Sequence, residues 1–408
     1  MTSRERVLMA ISHKEPDKLP WDLGGMRSTG MLAIVYSKLR KALGLPQEEI
    51  KVYDVGQQLA WIDEDVRKIL EIDVIALDTE KVLADYIYGW KPYKLPDDTP
   101  ALIPACYEVE ERSDGSKILY KERKAIGMMP SGGLYFDAIN PELENISTPE
   151  EIDVWGPSIF NVEELRALEK AAKDLYENTN YAIMGSFGGN IVEWGQGVRG
   201  WENFMSDLIG NKELAEKLIE KMVDTHLKNL KLYLEAVGNY IQIIQMGDDL
   251  GMQTGPMFSP TLYKELIFPA HKAIYDYVHR NSNIPVFLHS CGGIYEFIPY
   301  LIEAGVNILN PVQTSAKGMD PKKLKGEFGN RLTFWGGGCD TQTVLPYGKP
   351  EEIKKHVKER IEIFSQGGGF VFNQVHNIQA GIPMENIIAL FEVVSELRGT
   401  KIPWSLRY

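Results

Sequence analysis

Three cysteines in 408 residues are too few for a disulfide framework. An odd number cannot all pair within one chain, and a chain of this length buries enough core to fold without staples. Such usage suits a reducing compartment, and a cytoplasmic location is expected. No apolar run approaches the roughly 20 residues that cross a bilayer. The opening stretch, MTSRERVLMAISHKEPDKLP, is charged and lacks the apolar core of a secretory signal, so it reads as a short amphipathic helix stopped by proline. Positive charge is also scarce, with 44 Lys and Arg against 57 Asp and Glu and a net charge of −13. That balance argues against non-specific attraction to nucleic acid or to an anionic membrane surface. Internal repeats are absent. So are a G-x-G-x-x-G after the first strand and a G-x-x-x-x-G-K-[ST], which removes support from nucleotide-binding folds.

What is present is an alternation of element types. Short β-branched or aromatic runs end in Gly, Asp, Asn or His, and helical patterns follow them. Strands are expected at 19–23, 74–78, 181–187, 240–246, 285–289, 308–311, 332–335 and 370–374. Helical periodicity covers 61–70, 162–175 and 211–235, and runs from Ser259-Pro260 to about 279. Two more helices open at Lys349-Pro350 and at Pro383. Eight strands alternating with helices predict an α/β fold, a single (β/α)8 TIM barrel spanning 1–408, with a doubly wound open sheet as the other arrangement. The segment at about 86–141 lacks helical periodicity. Within it CYEVEERSDGSKILYKERKA alternates around Ser113-Asp114-Gly115, so a β-hairpin insertion between early strands is expected.

The barrel expectation directs attention to strand C-terminal ends, where reactive groups of this fold lie. In VFLHSCGG, His289 and Cys291 are two residues apart at such an end, and residues i and i+2 of a strand share a face. Cys339 follows a later strand and a three-glycine loop in FWGGGCDTQ. One imidazole and two thiolates on a common rim form a ligand set suited to zinc, with one position left open for water or substrate. The same three residues also read as a core histidine and buried thiols.

Other strand ends carry polar groups. Asp248 and Asp249 follow the 240–246 strand in MGDDLG, and at most one of them faces the pocket. Asp248 is the candidate for catalysis, as substrate acceptor or oxygen ligand; a helix cap is the alternative. Asp78 ends another strand, with a turn residue as its alternative role. Gln374, His376 and Asn377 lie at or just beyond the last strand, suited either to orienting a polar ligand or to fixing the final loop. Tyr135, Phe187 and Trp194, with Glu193 beside the last, gather near the same rim and suit a flat or apolar substrate.

GDDLGMQTGPMFSP, FLHSCGGIYEFIPYLIEAGVNILNPVQ, FWGGGCDTQTVLPYG and GGGFVFNQVHNIQAGIPMENIIALFE resemble the uroporphyrinogen decarboxylase superfamily, most clearly over the C-terminal half. The resemblance implies a (β/α)8 barrel. True decarboxylases of that superfamily use no metal and grip a porphyrinogen with an arginine-rich M-R-Q-A-G-R-Y segment. The corresponding GGMRSTGM keeps Arg27 and lacks the second arginine. Asp78 and His376 resemble that branch's pyrrole-contacting aspartate and late histidine. The other branch, zinc methyltransferases working with corrinoid proteins, carries His-x-Cys plus a distant Cys, which His289, Cys291 and Cys339 match. The function this implies is methyl transfer between a small donor or thiol, such as a methoxylated aromatic compound, and a corrinoid (cobalamin) protein partner. Metal-free decarboxylation of a porphyrinogen or related carboxylate, and a non-catalytic tetrapyrrole-binding barrel, are the competing readings.

Overall fold

The computed structural model describes residues 1–405. Its centre is a parallel sheet in which strands Val74–Leu77, Ala182–Gly188, Ile243–Gly247, Val286–His289, Ile308–Asn310, Thr333–Trp335 and Phe370–Val371 follow one another as neighbours. These strands are short and almost wholly apolar, as parallel strands covered on both faces must be. The first expected strand closes the ring. Trp21 pairs in parallel with Phe372, and the Asp73 amide donates to the Trp21 carbonyl at 2.9 Å. All eight expected strands are therefore present, in barrel order.

The barrel is a packed core rather than a channel. Val74, Ala182, Met184, Ile243, Phe287, Ile308, Trp335 and Val371 fill its interior together with Val7 and Ala10. Each large apolar side chain buried there contributes about 1.5–3 kcal/mol. Val7 and Ala10 come from the N-terminal helix Ser3–Ile11, which starts with a Thr2/Glu5 capping box and plugs the lower end of the barrel. That plug is locked by charge. Arg6 donates to Asp73 at 2.6 Å, and Arg398 from beyond the last helix meets the same carboxylate at 2.8 Å.

The chain leaves the barrel after Val74–Leu77 and returns before helix Val162–Asn178. The excursion is larger than one hairpin. Tyr107–Glu111 and Lys117–Lys121 do pair antiparallel around the Ser113-Asp114-Gly115 turn, where Gly115 has φ +80°. Lys124–Met129 and Asp137–Ala138 extend them to four strands. Trp90–Lys94 and Pro100–Pro104 form a second sheet with Ile50–Asp54 and Leu59–Ala60. Ile50–Asp54 pairs with the two-residue strand Leu59–Ala60 on one side and with Pro100–Pro104, some fifty residues downstream, on the other, and the second pairing leaves no trace in local periodicity. Glu80 ties the insertion to the rim by accepting from Lys121 Nζ at 2.7 Å and Tyr107 Oη at 3.1 Å. Among the described residues no helix is long and apolar enough to cross a membrane.

Candidate metal centre

His289 ends its strand directly opposite Asn310 of the next one. Its Nδ1 lies 2.6 Å from Asn310 Oδ1. Asn310 Nδ2 donates to the Trp335 carbonyl at 2.7 Å, which orients the amide and leaves Oδ1 only the accepting role. Nδ1 therefore carries the proton, and the Nε2 lone pair faces inward. There it meets Cys291 Sγ at 3.3 Å and Ser28 Oγ at 3.4 Å.

The third donor is His376. Ligand atoms of His289, Cys291 and His376 all lie within 4.8 Å of one another, and the two imidazole rings meet edge to face at 5.6 Å. Burial pushes His376 down to about 3, with the neighbouring His289 adding to the effect. The ring is thus neutral and able to donate a lone pair. Burial also pushes the Cys291 thiol well up, helped by Asp249 and Glu193. A cation in the cluster would reverse that balance, because metal coordination deprotonates a thiol.

Cys339, the expected third ligand, is not part of this group. It is wholly buried in the hydrophobic core, and the polar neighbour of its thiol is the Asp340 carbonyl at 3.8 Å. Two glycines explain the departure. Gly336 and Gly337 adopt φ +121° and +68°, so the chain leaves the strand direction before Cys339 and the alternation of faces no longer applies.

The two aspartates also exchange roles. Asp248 is fully buried and accepts from the amides of Ile191, Val192 and Glu193 at 2.9–3.1 Å and from His271 Nε2 at 2.9 Å. It caps the first turn of helix Val192–Arg199 from the neighbouring strand and leaves no face for substrate. Asp249 takes the pocket instead. Its Oδ1 accepts from the Cys291 amide at 2.8 Å and lies 3.7 Å from His289 Nε2.

Ser28, Asp249, His289 and His376 line a cavity of about 610 Å³ at the C-terminal rim. Asp78, Phe187, Glu193, His289 and His376 line it as expected of rim residues. Asp78 also caps helix Thr79–Leu83 and accepts from Arg27 Nε at 3.1 Å. Burial, with Asp249 and then Asp248 adding, pushes the Glu193 carboxyl up to about 8. Other expected contacts do not form. Tyr135 is 53% exposed and lies outside the lining. Trp194 packs on His226 and Trp155 behind the wall. Gln374 is buried and donates to the Thr29 and Gly30 carbonyls, fixing the last strand to the first loop. Asn377 is buried one layer back and reaches Gln57, which does line the cavity. Asn310, Ser28, Glu80 and Asp249 carry roles that motif reading did not assign. Of these, Asp249 alone carried a signal in the sequence, as the second member of the strand-end pair.

Comparison with known proteins places these features in context. A family model described as uroporphyrinogen decarboxylase (URO-D) matches residues 134–397. The uroporphyrinogen decarboxylase of Hydrogenovibrio crunogenus is 25% identical over 183 residues, covering 44% of this chain and 48% of that protein. That of Cellvibrio japonicus is 22% identical over 277 residues, 65% of this chain and 73% of that one. The match to the Hydrogenovibrio relative thus spans only about half of its length. A solved structure described as a methyltransferase from Methanosarcina mazei superposes with a TM-score of 0.61 at 17% identity, over 97% of this chain and 99% of its own, and so shares the fold.

Proposed function

From the premise that this chain belongs to the uroporphyrinogen decarboxylase family, we propose that it is a zinc-dependent methyltransferase. It would move a methyl group between a small methyl donor or thiol and the corrinoid of a partner protein. The observation that carries this reading is the convergence of His289 Nε2, Cys291 Sγ and His376, with both histidines lining an open cavity. Two imidazoles and one thiol form a donor set suited to zinc, and three protein ligands leave a coordination position free.

Zinc held there would supply Lewis acidity, keeping a thiol as thiolate or polarising the heteroatom of a methyl donor. The chain's own residues do the rest. Asn310 keeps the His289 lone pair aimed inward. Glu193, whose carboxyl burial and Asp249 push up in the metal-free protein, faces the cavity and is placed to give a proton to the heteroatom that gives up the methyl group. The heteroatom would keep the bond pair, and a cobalt(I) corrinoid carried by the partner would supply the two electrons that take the methyl group. The cavity mouth beside the insertion is where the partner's corrinoid must enter.

Charge weighs against a porphyrinogen substrate. Asp78, Glu80 and Asp249 face the cavity against a single arginine among the described residues, and Arg27 is already engaged by Asp78 at 3.1 Å and Asp54 at 3.4 Å. A polycarboxylate would enter a lining with an excess of acidic groups, at a desolvation cost.

Elemental analysis should find one zinc per chain, lost in His376→Ala and kept in Cys339→Ser. Mixing the zinc-loaded protein with a cobalt(I) corrinoid and candidate methyl ethers or thiols should produce the methylcobalt spectrum, and a chelator should abolish it. Zinc that survives removal of both Cys291 and His376, or turnover of a carboxylate indifferent to chelation, would sink the proposal.

A further inference from the structure

A second cavity of about 220 Å³ adjoins the first, between the barrel rim and the inserted sheet. Arg27 and Glu80 line both spaces, so the two meet across these side chains. The annexe walls are otherwise largely apolar and aromatic, with Tyr53, Tyr107, Leu119 and Phe136 among them. An apolar cavity of roughly 150 Å³ already accepts benzene. The annexe therefore has room for a substituted six-membered ring, with one substituent pointing through the junction toward the metal ligands.

The junction also selects by charge. Arg27 is bonded to Asp78 and Asp54, while Glu80 is bonded to Lys121. Two cations thus face three carboxylates, and neither cation is unpaired. A carboxylate on the ligand would lose water and meet that excess of acidic groups. The flat guanidinium of Arg27, by contrast, is the kind of group that stacks on an aromatic face.

We propose that the annexe is the binding site for the body of the substrate, and that this body is a neutral aromatic ring: an aryl methyl ether bearing no carboxylate. The identity of the ether rests on the methyl-transfer reading, whereas ring binding can be measured without turnover.

Calorimetric titration of the zinc-loaded protein at pH 7 with 2-methoxyphenol and with 4-hydroxy-3-methoxybenzoate tests it. The neutral ring should bind at least about tenfold more tightly, a difference of about 1.4 kcal/mol. Ala138→Trp, at an exposed position on the annexe wall, fills the space and should weaken 2-methoxyphenol by a similar factor without changing zinc content. Phe136→Ala removes a wall and serves as the second variant, also with weaker ring binding. Equal or tighter binding of the benzoate, no measurable binding of either ring, or indifference of 2-methoxyphenol to both substitutions would overturn the assignment. Annexe-dependent binding with no methyl ever reaching cobalt would instead sink the methyl-transfer reading and leave the annexe standing.

Discussion

A single hydrogen bond decides what His289 can do. If Asn310 did not accept from Nδ1, the ring could place its proton on Nε2 and turn a donor N–H toward the ligands. Asn310→Leu removes the acceptor at similar volume. In the metal-free protein, the nitrogen chemical shifts of His289 should lose the pattern of a ring protonated only at Nδ1, and zinc affinity should fall by about 10–100-fold. An unchanged tautomer with unchanged affinity would show that packing alone holds the ring. The pair His289 and Cys291 was legible from sequence because two residues along one strand share a face whatever the rest of the chain does. Asn310 was not, since its role depends on cross-strand register.

Helix Val192–Arg199 is only eight residues long and starts without a side-chain cap of its own. Three of its first amides are satisfied from outside, by the carboxylate of Asp248. Asp248→Ala would leave those buried donors and His271 without an acceptor. It should cost about 1–3 kcal/mol in urea unfolding of the metal-free protein. Asp249→Ala should leave that stability nearly unchanged and lower zinc affinity instead. Equal effects of the two substitutions on unfolding would refute the division of labour. The sequence marks both aspartates as a strand-end pair but does not say which one faces the helix, because the strand ends at Gly247 and alternation of faces does not carry past it.

On the scale of the molecule, the insertion is a sheet hung on the barrel rim, and Glu80 is one of its fastenings. Glu80→Gln keeps the shape and weakens the ionic half of that link. Amide hydrogen exchange should then quicken across Tyr107–Lys121 while the barrel strands stay protected, and uniform protection throughout would count against the hinge-like attachment. Short buried runs, each followed by a helix, were enough to place eight strands from sequence alone, because periodicity and turn chemistry are local properties. The insertion was recognisable as a break in that rhythm, and its hairpin Tyr107–Lys121 by its turn, although the remaining strand partners were not. Local pattern also sufficed for His289 and Cys291 as neighbours on one strand end. It did not suffice for the third donor. His376 reaches the pair because the ring closes where Trp21 meets Phe372, and Cys339 misses it because glycines in left-handed conformations redirect the chain. Which residues share a face is settled within a strand by alternation, whereas which strand ends converge depends on closure and loop conformation, and only the tertiary structure decides those.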